Sequence, residues 1–205
     1  MAAVGRICVV CLALMSPLAL AEHVHEIPRG WELMLASPRP ITVKLDHSTA
    51  SSGSSSALIS SEGSSTTGLC VLMQATVAID YRGKRVRFSG DLKSQNLKNW
   101  AGLWFRVYDA SGRTLAMDNM QTKERRMPAD ADWQRHDIVI DIPGGAAFVF
   151  YGVTLNGTGK LWADGLQIEV VDQSIPVTAR PTAPSGTQPL PRTPKSTPEN
   201  LDFER

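Results

Sequence analysis

Ala101-Gly102-Leu103-Trp104-Phe105-Arg106-Val107-Tyr108 is the stretch that decides the fold. Leu103, Phe105 and Val107 fall on one side of an extended chain, and Trp104, Arg106 and Tyr108 on the other. A period of two marks a strand, because successive strand side chains point to opposite sheet faces. The pattern repeats outward in both directions. Val86, Phe88 and Gly90 alternate with Arg85, Arg87, Ser89 and Asp91, and Ile138 and Ile140 alternate with Asp137, Val139 and Asp141. Phe148 to Leu155 is rich in aromatic and β-branched residues, and Leu166, Ile168 and Val170 close the set. Turn formers separate the runs at Tyr81-Arg82-Gly83, Asp109-Ala110-Ser111-Gly112, Pro143-Gly144-Gly145 and Asn156-Gly157-Thr158-Gly159. No ten-residue window carries a helical stripe. Short strands at this spacing predict an all-β sandwich of two antiparallel sheets, with jelly-roll topology expected.

The domain is expected over residues 27–172, and both flanks differ from it in composition. Arg6 is followed by Ile7 to Ala21, an uncharged run too short for the roughly 20 apolar residues of a membrane-spanning helix. It ends in Ala19-Leu20-Ala21, so residues 1–21 read as a signal peptide cleaved after Ala21, with no transmembrane anchor after processing. The expected destination is the periplasm or the medium. At the other end, seven of the 13 prolines fall after Asp172. Residues 173–199 therefore read as a Pro-rich linker with too little apolar surface to offset its ordering entropy. Residues 200–205 alternate apolar and polar again, and read either as a short edge strand or as a free chain end.

Charge and composition exclude several function classes. The chain holds 21 basic and 20 acidic side chains. Such a balance lacks the basic footprint a nucleic-acid partner requires. Without the first 21 residues, Cys70 is the one cysteine left, so no disulfide scaffold forms and Cys70 is expected in the core. His47 and His136 have no zinc spacing, and the many serines include no Gly-x-Ser-x-Gly elbow. These absences point to a binding protein without a cofactor rather than an enzyme.

Several stretches carry a family resemblance. They are Tyr81 to Gly90 (YRGKRVRFSG), Ala101 to Val107 (AGLWFRV), Asp118 to Gln121 (DNMQ), Asp132 to Arg135 (DWQR) and Gly157 to Gly165 (GTGKLWADG). Together they resemble a bacterial jelly-roll module of the galactose-binding-like, carbohydrate-binding kind, found appended to AraC-type regulators and periplasmic peptidases and also alone. The resemblance implies the sandwich fold and says little about the ligand. Such modules begin with a strand like Asn-Leu-Asp-Phe-Glu that leads into Gly-Trp. Here Gly30-Trp31 stands near the start, whereas Asn200-Leu201-Asp202-Phe203-Glu204 stands at the end. The tip is therefore expected to dock as an edge strand, on its own domain or on a neighbouring copy. The resemblance also implies a structural calcium between Glu204 and Asp164, although two carboxylates fall short of six to eight oxygen ligands.

For the ligand, the residues suggest a sheet face. If Leu103, Phe105 and Val107 are core, then Trp104, Arg106 and Tyr108 share the other side, with Gln74 and Arg87 expected beside them. An aromatic ring covers the C–H face of a sugar while Arg and Gln reach its hydroxyls. Asp118 and Asn119 are candidate rim contacts. The expected partner is a carbohydrate or envelope glycan, or alternatively another periplasmic protein bound through this face or the tail. The competing reading is that the face is covered and simply packs. Trp162 is expected in the core unless a bulge at Gly165 shifts the register, and Trp133 is expected to anchor a strand start.

Overall fold

The computed structural model describes residues 24–37, 40–63, 68–178 and 194–205. The expected signal peptide lies outside these residues, as does 179–193 of the expected linker. Nine strands follow one another and the described residues contain no helix. They are β1 (Val24–His25), β2 (Glu32–Ala36), β3 (Ile41–Asp46), β4 (Ser56–Ser61), β5 (Leu69–Val77), β6 (Arg85–Tyr108), β7 (Thr114–Asp118), β8 (Ala131–Asp141) and β9 (Phe148–Val171). All pairings are antiparallel except that of β1 with β3.

The two 24-residue strands β6 and β9 organise the sheet, pairing from Arg85↔Val171 to Tyr108↔Phe148. The first half of β6 also pairs with β8 and its second half with β7. β9 pairs with β5 along its first half and with β4 beyond Asn156. The sheet thus curls into two layers, β2-β5-β9-β6-β7 and β1-β3-β4-β9-β6-β8. Phe88 from one half of β6 and Phe105 from the other have ring centroids 5.9 Å apart, and both lie against Tyr151 of β9. The halves of one strand therefore face each other across the main core, which also takes Cys70, Leu72, Leu103, Val107, Ile138 and Ile140. Three of the expected turns connect strands. The fourth does not.

Asn156-Gly157-Thr158-Gly159 lies inside β9, where the β6–β9 pair changes register between Gln95 and Lys98. Gly157 and Gly159 have φ of 98° and 117°. A Cβ on either would strike the carbonyl of Lys98 or of Asn96. Glycine here lets two backbones pass closely at the bend, a use that looks identical to a hairpin turn in sequence.

Residues 200–205 do not form the expected edge strand. Leu201 and Asp202 make a turn flanked by positive φ at Asn200 (48°) and Phe203 (55°). The segment is nonetheless seated in the body. Phe203 is 0% exposed and stacks on Trp31 at 4.9 Å between centroids. Leu166 N donates to Leu201 O at 2.9 Å, and Trp31 Nε1 donates to Asn200 O at 3.0 Å. A turn wins because its carbonyls and the Glu204 carboxylate meet donors on β9 and on two loops, not along one strand edge.

Candidate functional site

The Trp104 face is a packed apolar cluster. Trp104 and Tyr108 are 6% and 4% exposed and join Val71, Ala75 and Phe150, with Met34, Leu69, Met73 and Phe148 against them. Tyr108 meets Phe150 edge-on at 4.8 Å. Arg106 spans the two rings, its Cζ 5.4 Å from the Trp104 centroid and 5.9 Å from that of Tyr108. Nη1 donates to Tyr108 Oη at 3.0 Å. Nε is buried without a hydrogen-bond partner. The rings expected to stack on a sugar are used on one another.

The other expected members of that face are elsewhere. Gln74 points into the core side of β5, because Val71, Met73 and Ala75 take the outer side. Its amide accepts from Tyr151 Oη at 3.3 Å and donates to Glu199 O at 2.5 Å. Arg87 lies on the other layer, in an ion pair with Glu169 at 2.8 Å. Asp118 is engaged by Arg125 and by Thr178 Oγ1. Asn119 is near the surface, where its side chain bonds Gln121.

Asp164 and Glu204 hold the serine loop, the Ser-rich connection between β3 and β4. Ser51 N and Ser52 N donate to Asp164 Oδ2 at 2.9 and 2.8 Å. Ser54 N and Ser55 N donate to Glu204 Oε1 at 2.8 and 3.1 Å, and Ser54 Oγ donates to Glu204 Oε2. Burial pushes the Asp164 carboxyl up against the pull of these amides, whereas the Ser54 bonds hold Glu204 below its ordinary range. Calcium requires oxygen ligands, and these carboxylates face N–H and O–H donors. Among the described residues no three His, Cys, Asp or Glu side chains gather as metal ligands.

A different surface gathers hydrogen-bonding side chains. Val86, Phe88 and Leu92 of β6 are buried inward, so Arg87, Ser89, Asp91 and Lys93 point outward. On β9 a bulge intervenes, for the pairing passes from Asp91↔Asp164 to Ser89↔Gln167 across Gly165 (φ 54°). The bulge turns Trp162 to the outer side and leaves Leu166 and Ile168 inside. Trp162 consequently belongs to the outer face, the case foreseen if a bulge at Gly165 shifts the register. It is covered by neighbours there: Nε1 donates to Asp46 Oδ2 at 2.8 Å, and Lys160 Nζ lies 6.0 Å from its ring centroid. Burial works against the Asp46 charge, but bonds from Ser48 and Trp162 outweigh it and hold that carboxyl low.

Three concavities follow one another along this face of β6. The first, about 440 Å³, is lined by Arg87, Ser89, Arg135, Asp137, Gln167 and Glu169. The second, about 550 Å³, is lined by Lys93, Gln95, Asp130, Asp132 and Trp162 among others. The third, about 410 Å³, shares Gln95 and adds Ser60, Asn96, Lys98 and Lys160. Arg135 is the centre of the first. Its Nη2 donates to Ser89 Oγ and Gln167 Oε1, both at 2.9 Å, and its Nη1 reaches Gly165 O at 3.0 Å and Asp91 at 3.4 Å. Lys93 pairs with Asp132 at 2.6 Å, and both that bond and the Trp133 amide lower the Asp132 carboxyl. His136, in register with Gly90, lies at this border with Nε2 buried and unpartnered. Burial holds its pKa below the ordinary 6.5; Arg125 adds to this, and Asp137 and Asp91 oppose it.

The fold and this face define an all-β domain with a polar, multiply concave sheet surface. No family model matches the chain. It is 31% identical over 158 residues to the uncharacterized HTH-type transcriptional regulator YbfP of Bacillus subtilis (strain 168), covering 77% of this chain and 53% of that one. The chain thus spans about half of this curated relative, and its described residues include no helix from which to build a helix-turn-helix. Among solved structures, the enzymatically active domain of bacteriophage CBA120 tailspike protein 4 aligns over 74% of this chain and 22% of its own, at a TM-score of 0.55 and 13% identity. The CBM22-1 xylan-binding domain of Paenibacillus barcinonensis Xyn10C aligns over 74% of this chain and 90% of its own, at a TM-score of 0.49 and 16% identity. At 13% identity the likeness to the tailspike domain concerns the fold alone.

Proposed function

We propose that the protein is an exported, non-catalytic binding module of jelly-roll type, and that it holds a carbohydrate or envelope glycan along the outer face of β6. The observation that supports this is the row of three concavities on one strand, from Arg87 to Lys98. Each is within the size range of small-ligand sites, and a linear chain of sugars is the ligand shape a row suits. Arg135, Gln167, Lys93 and Asp132 supply planar or charged groups for hydroxyls, while Trp162 borders the middle position. The family resemblance agrees with a carbohydrate ligand only at the level of the fold. Residues 1–21 would direct the chain to the periplasm or beyond.

The similarity to part of an HTH-type transcriptional regulator of Bacillus subtilis fits a module that also occurs joined to other domains. No cofactor is assigned. Asp164 and Glu204 act as a clamp on the serine loop, and neither added calcium nor a chelator should shift the melting temperature. The glycan reading is tested by screening residues 22–205 on a polysaccharide array beside Arg135→Ala. Retention on some glycan that Arg135→Ala abolishes in a folded protein is expected. Silence across plant and envelope polysaccharides would sink it and favour a protein partner.

A further inference from the structure

The C-terminal segment 194–205 is bound as a peptide ligand is bound. Strand β2 pairs with β5 only as far as Met73, leaving the β5 edge open beyond it. Lys195 fills that edge: its N donates to Ala75 O at 2.8 Å, and Val77 N donates to its O at 2.9 Å. Gln74, buried in the core, then reads the next backbone groups, accepting from Glu199 N at 3.2 Å and donating to Glu199 O at 2.5 Å. Phe203 drops into an apolar slot on Trp31. Glu204 meets the Ser54 and Ser55 amides, and Arg29 N donates to Arg205 O at 3.3 Å. A single parallel bridge to a sheet edge, one buried aromatic anchor and a side-chain carboxylate held by backbone amides are the kinds of contact by which a peptide is held.

Sixteen residues separate Thr178 from Lys195. Fully extended they would span roughly 50 Å, so the segment can reach a neighbouring molecule. Every contact named above is made to residues 29–166, so an identical set forms when the segment comes from another copy. Each chain carries both the groove and its ligand, which is the condition for a closed two-fold exchange. The tether gives the molecule's own tail an effective concentration on the order of millimolar, so the closed monomer dominates in dilute solution.

We propose that the groove formed by Trp31, Gln74, the β5 edge and the Ser54–Ser55 amides is a peptide-recognition site that takes the C-terminal segment of a second copy. It is separate from the glycan face and does not depend on it. The test uses the full chain carrying a protease sequence at Gly186, cleaved after folding, with an excess of fluorescent peptide Lys195–Arg205. The expected result is that the severed tail stays bound, is replaced by the labelled peptide, and that a Phe203→Ala peptide competes at least tenfold less well. A tail that leaves and is never rebound would overturn the proposal, as would a tail that stays but does not exchange. For the uncleaved chain, mixing Trp31→Ala (defective groove) with Phe203→Ala (defective tail) should give a one-to-one dimer by light scattering. Monomers alone, with both variants folded, would count against exchange between copies.

Discussion

The outer faces of the two layers obey the same alternation and end in opposite states. On β5, β9 and the second half of β6, the outer side chains are Val71, Ala75, Phe150, Trp104 and Tyr108, and they are buried. On the first half of β6 and its neighbours, the outer side chains are Arg87, Lys93, Arg135, Gln167 and Glu169, tied by ion pairs and hydrogen bonds at the surface, with Ser89 buried beneath Arg135. The aromatic content that suggests a sugar platform marks the layer where aromatics have each other for partners. Surface suited to a hydroxylated ligand lies where polar side chains have solvent. Aromatic identity alone does not make a binding face; exposure decides it.

The largest test of this contrast is Trp104→Ala. Truncating a buried tryptophan should cost about 3–5 kcal/mol, read as a lower denaturant midpoint. An unchanged midpoint would mean that the Trp104 face is free surface after all. At the bulge, Asp164→Ala should cost about 1–3 kcal/mol, because the Ser51 and Ser52 amides lose their acceptor; unaltered unfolding would show that the clamp is idle. Arg135→Ala should move stability by about 1 kcal/mol or less, as partly exposed ion pairs do, while removing glycan retention. A large loss of stability there would make the polar face structural rather than functional.

Smaller effects sharpen the same division. His136 has a folded-state pKa below its ordinary 6.5, chiefly through burial. The unfolded chain therefore takes up that proton first. The contribution of a neutral His136 is complete above pH 6.5 and drains away as pH falls toward the folded value, with Arg125, Asp137 and Asp91 setting the window. His136→Gln should flatten the melting temperature between pH 7 and 5.5, on this linkage; an equally steep profile would exclude His136 as the source. Cys70, buried and pushed up to about 12, should resist a thiol reagent at pH 8 until the protein unfolds. Rapid labelling of the native protein would contradict its core position.

Strand content was legible from the sequence because a period of two is a local property of the chain. The apolar runs at Leu69–Met73 and Phe148–Leu155 also carried the warning that this layer is covered on both faces, since a half-solvated strand alternates cleanly, as Arg85–Asp91 does. The polar site was not legible. Arg135 joins this polar cluster only because β8 pairs beside Ser89 and the Gly165 bulge carries Gln167 into reach. Register between strands more than 30 residues apart is not written in either strand.

By itself the sequence determined an all-β chain, the composition of its flanks and the expected core position of Cys70, because each follows from local periodicity or from residue type. Only the tertiary structure decided that Gly157 and Gly159 bend a strand pair instead of closing a hairpin, that Gln74 faces inward, that Trp162 faces outward and that Phe203 completes the core beside Trp31. Those outcomes depend on which backbones pair and where a bulge falls, and pairing is a choice among distant segments that is settled by packing the whole domain at once.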